Sequence, residues 1–218
     1  MKRIDRVIWD FNGTLFDDVG IGIRAINTLL MRHGYRPIPS ADAYRELFGF
    51  PIVEYYRRAG FDFERHPYDM LAHEWVAEYD RLEPEAMLRP DAHAAIAALS
   101  SAGVAQTLIS ATEQKMLERQ LAWLGLITCF DATVGNDNIH AAGKSELILA
   151  WSRDHIDEHT VMIGDTEHDF ACAEAAGLDC LLVTGGHRPR HALEACGCPV
   201  LDSLTACAEY IIKHNASL

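Results

Sequence analysis

The sequence predicts an α/β protein with a doubly wound parallel-sheet core, interrupted after its first strand by an all-helical insertion. Three observations predict it: a short apolar run at Arg6-Val7-Ile8-Trp9 that ends on Asp10, a strand-free helical pattern over residues 16–89, and a regular alternation of helix and strand from Pro90 onward. Alternation of that length marks βαβ units, whose right-handed crossovers build a parallel sheet.

The run before Asp10 reads as a buried first strand with a loop, Phe11-Asn12-Gly13-Thr14, at its carboxyl end. Asn-Gly is also a hairpin signal, but Phe16-Asp17-Asp18-Val19-Gly20 leads into a helix and offers no partner strand. Asp17 and Asp18 are expected to start that helix. Across residues 16–89, Ile23, Ile26, Asn27 and Leu30 recur at helical spacing, and Gly34, Pro37, Pro39, Pro51, Gly60, Pro67 and Pro84 supply breaks. Beyond Pro90, helices are expected at 92–102, 113–124, 144–155 and 170–176. Strands are expected at 104–110, 132–134, 160–164 and 180–183.

Length and composition agree with one core carrying an insertion, because 218 residues that are 49% hydrophobic can bury a full interior. The formal charge of -13 disfavours a nucleic-acid partner, since phosphate backbones are bound by clustered Lys and Arg. No apolar h-region follows Met1-Lys2-Arg3, and no apolar run approaches a membrane span, so a soluble cytoplasmic protein is expected. Cysteines at 129, 172, 180, 196, 198 and 207 show no C-x-x-C spacing and read as reduced packing residues. Cys196 and Cys198 beside His187 and His191 lack a second ligand pair with structural-zinc spacing.

In open parallel sheets ligands bind outside the carboxyl ends of the strands, so polar residues that end apolar strands are site candidates. Val7-Ile8-Trp9 delivers Asp10, Thr107-Leu108-Ile109 delivers Ser110, and Val161-Met162-Ile163-Gly164 delivers Asp165, with Asp169 four residues later; Lys144 opens a helix after Gly143. Together these suit phosphoryl transfer. A carboxylate nucleophile attacks phosphorus, provided the charges that meet there are neutralised. Mg2+, which prefers oxygen ligands and keeps several waters, fits Asp10, the backbone carbonyl of Asn12, Asp165 and Asp169. Lys144 and Ser110 would hold the remaining phosphoryl oxygens.

Asp10-Phe11-Asn12-Gly13-Thr14-Leu15 resembles the first motif of the haloacid dehalogenase-like hydrolase superfamily, and Gly164-Asp165-Thr166-Glu167-His168-Asp169 its fourth. Ser110 and Lys144 match the second and third in order and spacing. Ala173-Glu174-Ala175-Ala176-Gly177 and the helical insertion after the first motif resemble the phosphoglycolate phosphatase-like branch. The resemblance implies a Rossmann-like catalytic core at 1–15 and 90–218, a helical cap at 16–89, and magnesium-dependent hydrolysis of a small phosphorylated metabolite by a monomer or homodimer. It makes Phe11, Gly13, Thr14 and Ala111 candidates for phosphoryl binding, and places Arg45 and Gly49-Phe50-Pro51 at the substrate-specificity loop.

One departure matters. The family's phosphatases carry a second aspartate, the general acid and base, where this chain has Asn12. An amide cannot exchange a proton, and general acid-base catalysis is worth about 10² to 10⁴ in rate. The chain is then a phosphatase for substrates with acidic leaving groups, one that uses a substitute acid such as His33, His66 or His73, or a silent phosphate-binding protein. Dehalogenation is disfavoured because it needs no magnesium, and phosphonate cleavage because residues 16–89 contain no lysine. His168 reads as a solvated loop residue.

Overall fold

The computed structural model describes residues 2–136, 144–155 and 159–218. Strand β1 (Arg6–Trp9) is buried on both faces at Val7, Ile8 and Trp9, as a central strand must be. After the loop comes β2 (Phe16–Asp17), then the helices α1 (Val19–Arg32), α2 (Ala41–Leu47), α3 (Ile52–Ala59) and α4 (Tyr68–Leu82), and β3 (Met87–Leu88). β2 and β3 pair antiparallel, with Phe16 opposite Leu88 and Asp17 opposite Met87. This ribbon corrects the expectation that residues 16–89 hold no strand, because two residues are too few for alternation to show. The four helices enclose an apolar centre of their own, built from Val19, Ile26, Leu29, Leu30, Tyr44, Tyr55, Tyr56 and Leu71 among others. Ile21 and Ala25 on the other side of α1 join the main core, as do Tyr79 and Leu82 of α4, so two helices seal both.

The remainder alternates: α5 (Ala92–Ser101), β4 (Ala105–Glu113), α6 (Gln114–Trp123), β5 (Ala132–Asn136), α7 (Lys144–Asp154), β6 (Thr160–Gly164), α8 (Glu167–Ala175), β7 (Asp179–Val183), α9 (Arg190–Glu194), β8 (Val200–Leu201) and α10 (Leu204–Ala216). Among the described residues the strands form one sheet in the order β5-β4-β1-β6-β7-β8, with every neighbouring pair parallel. Successive residues supply opposite layers. Val7, Trp9, Val161 and Ile163 meet α5, α6 and α10 on one face, while Ile8, Met162, Cys180 and Leu182 meet α7, α8 and α9 on the other.

Two boundaries differ from expectation in ways that bear on the site. β4 continues past Ser110 to Glu113 through an irregularity between Ile109 and Glu113, so Ser110 lies within the strand and not at its tip. α8 begins at Glu167, because Thr166 caps it and forms a reciprocal capping box with Asp169. His168 is therefore helical. No helix of the described residues is long and apolar enough to cross a membrane.

Candidate active site

Trp9 lies opposite Ile163 in the register of β1 and β6, so Asp10 and Asp165 emerge from neighbouring strand tips. The capping box turns Asp169 back toward them. Its Oδ2 accepts hydrogen bonds from the backbone N–H groups of Asp165 (3.2 Å) and Thr166 (3.0 Å) and from Thr166 Oγ1 (2.7 Å). Asp165 is held from both sides, by Thr14 Oγ1 at 3.2 Å and by the backbone N–H of His187 at 2.6 Å. Asp10, Asp165 and Asp169 are all buried, and each offers an oxygen within 4.8 Å of the others. Lys144, at the start of α7, donates to both Asp10 Oδ1 and Asp169 Oδ1. Gly143, expected just before it, lies outside the described residues.

Three buried carboxylates thus share one ammonium. Burial, reinforced by the charges of Asp169 and Asp165 and opposed by Lys144, pushes Asp10 up to about 7; burial and Asp169 push Asp165 up to about 6 against the pull of His187. Burial would raise Asp169 too, but Lys144 outweighs it and holds the group below the usual carboxylate range. Lys144 is held above its ordinary value by the two carboxylates it touches, despite burial. The cluster has an excess of negative charge in an oxygen-only donor set. It suits a hard divalent cation.

The backbone closes tightly on Asp165. A Cβ on Gly186 would lie 2.1 Å from its Oδ2, and one on Gly13, whose φ is +75°, 2.4 Å from the same atom. Gly186→Ala is therefore expected to displace Asp165 and, for a divalent cation such as Mg2+ held by this cluster, to weaken binding about 10- to 100-fold, the range for disturbing a ligand's supporting shell. Unaltered Mg2+ affinity by calorimetry would contradict this.

Asn12 has an assigned place. Its Nδ2 donates to Asp18 Oδ2 (3.0 Å) and Tyr79 Oη (3.1 Å), and its Oδ1 accepts from Thr112 Oγ1 (3.1 Å). Asp18 precedes α1 as expected, but its side chain caps nothing. It accepts from Gly13 N (2.8 Å) and Tyr79 Oη (2.6 Å), and lies 3.1 Å from His187 Nε2; His187 Nδ1 meets Tyr44 Oη at 2.9 Å. Asp18, Tyr44, Tyr79 and His187 are thus site residues that sequence patterning does not single out.

Burial would lower His187, but Asp18 and Asp165 overcome it and push it up to about 9. Burial would raise Asp18, and His187 holds it below its ordinary 3.8. The elevated imidazole contributes fully below its unfolded value of 6.5 and loses that contribution as pH rises through about 9. Asp18 contributes above 3.8 and loses its share as pH falls through its folded value. Metal-stripped protein is expected to lose about 3 kcal/mol from the imidazole between pH 6.5 and 9. Asp18→Asn should shrink that loss; equal loss in both proteins by calorimetry would contradict the pairing.

The other predicted residues sort by position. Ser110 Oγ donates to Thr112 Oγ1 (3.0 Å) and so connects to Asn12, while the Ala111 carbonyl accepts from Asn136 (2.8 Å). Phe11 stacks on Phe16 in the core, leaving only its backbone for the site. Arg45 reaches Gly186 O (2.9 Å), and Gly49 lies beside Arg58 and Arg188. His168 stacks on Phe50 at 4.3 Å, which corrects its reading as a solvated loop residue. His33, His66 and His73 bond within the helical segment, to Glu74, Tyr35 and the Asp69 carbonyl. His187 is committed to Asp18 and Tyr44, and His191 pairs with Glu46, so neither joins Cys196 and Cys198.

The protein-family model described as haloacid dehalogenase-like hydrolase matches residues 7–183. The chain belongs to that family. Two relatives of this hydrolase are named phosphoglycolate phosphatase: one from Rhodobacter capsulatus, 26% identical over 84% of this chain and 85% of its own, and one from Cereibacter sphaeroides, 29% identical over 86% and 89%. A haloacid dehalogenase-like family hydrolase from Streptococcus pneumoniae shares the fold with a TM-score of 0.81 at 22% identity, covering 96% of this chain and 99% of that one. Family and relatives together make the chain a hydrolase of the phosphatase type.

Proposed function

We propose that this hydrolase is a magnesium-dependent phosphatase that cleaves a small phosphorylated metabolite, phosphoglycolate or a compound like it, through an aspartyl-phosphate formed on Asp10. The observation that carries the reading is the buried cluster of Asp10, Asp165 and Asp169 with Lys144 between two of them. Side chains of those aspartates, with the Asn12 carbonyl, would hold the cation. Bound Mg2+ supplies neutralisation of the carboxylates and polarisation of the phosphoryl oxygens. Asp10 is the nucleophile, Lys144 exchanges a carboxylate partner for a phosphoryl oxygen, and Ser110 adds a hydroxyl donor. The relatives' shared name supports the substrate class, and the acidic surface suits a small molecule more than a polyanion.

The helical segment serves as the cap. An open cavity of about 340 Å³ lies between it and α8, lined by Phe48, Gly49, Phe50, Arg58, Glu167, His168 and Arg188 among others; Arg188 is paired with Glu167 there, which leaves Arg58 as the cationic group to meet the substrate's own acid function. Because the Asn12 amide transfers no proton, substrates whose leaving groups need none are preferred.

A panel of acyl, aryl and alkyl phosphates, with Mg2+ or with chelator, tests the reading. Turnover is expected only with Mg2+, and faster for acyl and aryl phosphates than for alkyl esters. Activity that persists in chelator, or binding of phosphate without turnover of any substrate, overturns it.

A further inference from the structure

Away from the carboxylates, the sheet edge brings three cysteines together. Leu182 of β7 lies opposite Val200 of β8, and continuing that register two residues back, beyond the start of β8, brings Cys198 alongside Cys180. Both side chains pack with the α7, α8 and α9 layer, the face that Leu182 and Val200 also share. The Cys180 thiol donates to the Leu181 carbonyl at 3.8 Å, and the two sulfurs are near enough to perturb one another's titration. Cys196 follows α9 and packs on the same layer, separated from Cys198 by Gly197 at φ +81°. All are free thiols, Cys180 buried and the other two half-buried.

We infer that Cys180 and Cys198 form an oxidisable dithiol, a site that exchanges with small disulfides and closes to a β7–β8 cross-link. Adjacent residues of paired strands lie within the span a disulfide bridges, and Cys198 precedes β8 in backbone outside the ladder. The three thiols have distinct parts. The neighbouring Cys180 thiol holds Cys198 below its ordinary value, while burial pushes Cys196 up to about 11; Cys180, beside Cys198 and buried, is raised. Cys198, the more exposed of the pair, is the attacking thiolate. It displaces one thiolate from a small disulfide RSSR to give a mixed disulfide. Cys180, passing its proton to solvent, then attacks the Cys198 sulfur and expels the second thiolate. The net change is two protein thiols and RSSR to one protein disulfide and two RSH. The site lies on the far edge of the sheet from β4 and β5 and makes no use of the phosphatase machinery, so it stands or falls independently of that reading.

The full chain, reduced and then treated with oxidised glutathione, is examined by intact mass and peptide mapping. Wild type is expected to lose two hydrogens in mass and to yield a peptide pair joined through Cys180 and Cys198. Cys180→Ser is expected to stop at a glutathionyl adduct on Cys198, and Cys198→Ser to react about tenfold slower or less. A cross-link that joins Cys196 to Cys198, an adduct seated on any other cysteine, or wild type that takes no cross-link overturns the inference. The wild-type map needs no variant and decides the matter even if a substitution unfolds the chain.

Discussion

Asp10→Asn is expected to abolish turnover and at the same time to raise the heat stability of the metal-free protein. The amide cannot act as the nucleophile, and removal of a nucleophile costs at least about 10⁴ in kcat. The stability gain comes from the imbalance of the cluster. In the absence of a cation, Asp10 must be ionised beside Asp165 and Asp169 with one ammonium among them, which is why its carboxyl sits at about 7. A neutral amide of the same shape keeps an oxygen for Lys144 and removes the repulsion, a gain on the order of 1–3 kcal/mol above pH 7. Scanning calorimetry in chelator should show the variant melting several degrees higher, with a smaller increment on adding Mg2+. A variant less stable than wild type at pH 8 in chelator would show that Asp10 is not a strained charge.

Asn12→Asp is expected to raise hydrolysis of alkyl phosphates by about 10²-fold while leaving acyl phosphates nearly unchanged, since only the former need a proton on the leaving group. The same change should lower stability by about 2–3 kcal/mol, because an oxygen would then face Asp18 Oδ2 where an N–H now donates at 3.0 Å. Two carboxyls in that buried spot share a proton, which is the condition a general acid requires. Adding Asp18→Asn should remove the repulsion between residues 12 and 18 and reduce the gain in alkyl-ester hydrolysis, at the cost of the His187 pair. An unchanged ratio of alkyl to acyl phosphate turnover in Asn12→Asp would contradict the role given to residue 12.

The sequence makes some of this site visible and hides the rest for a physical reason. Asp10 and Asp165 follow unbroken apolar runs, and a strand buried on both faces leaves such a signature together with the residue at its tip. Asp169 is legible through its place four residues after Asp165, and the alternation after residue 90 gives the βαβ core. Asp18, Tyr44, Tyr79 and His187 are different. Each has an ordinary local reading, as a helix start, core aromatics and a loop histidine, and only the packing of α1, α2 and α4 onto the core loops joins them. The β2–β3 ribbon and the Cys180–Cys198 juxtaposition are hidden likewise, since both depend on the register between distant segments. Side-chain partners 61 to 169 residues apart leave no period to detect.

The ribbon of β2 and β3 has a consequence for how this scaffold accommodates change. Both passages of the chain between sheet and helices run side by side there, and Arg89 N returns to Leu15 O at 2.9 Å just beyond it. The chain therefore enters and leaves the helices at one place, while Tyr44, Arg45 and Tyr79 tie them back to the core loops. A segment of another length or outline, spliced at that crossing, leaves the parallel ladder paired, yet it must bring its own partners for Asn12 and His187, so the acidic tip and the helices above it change together.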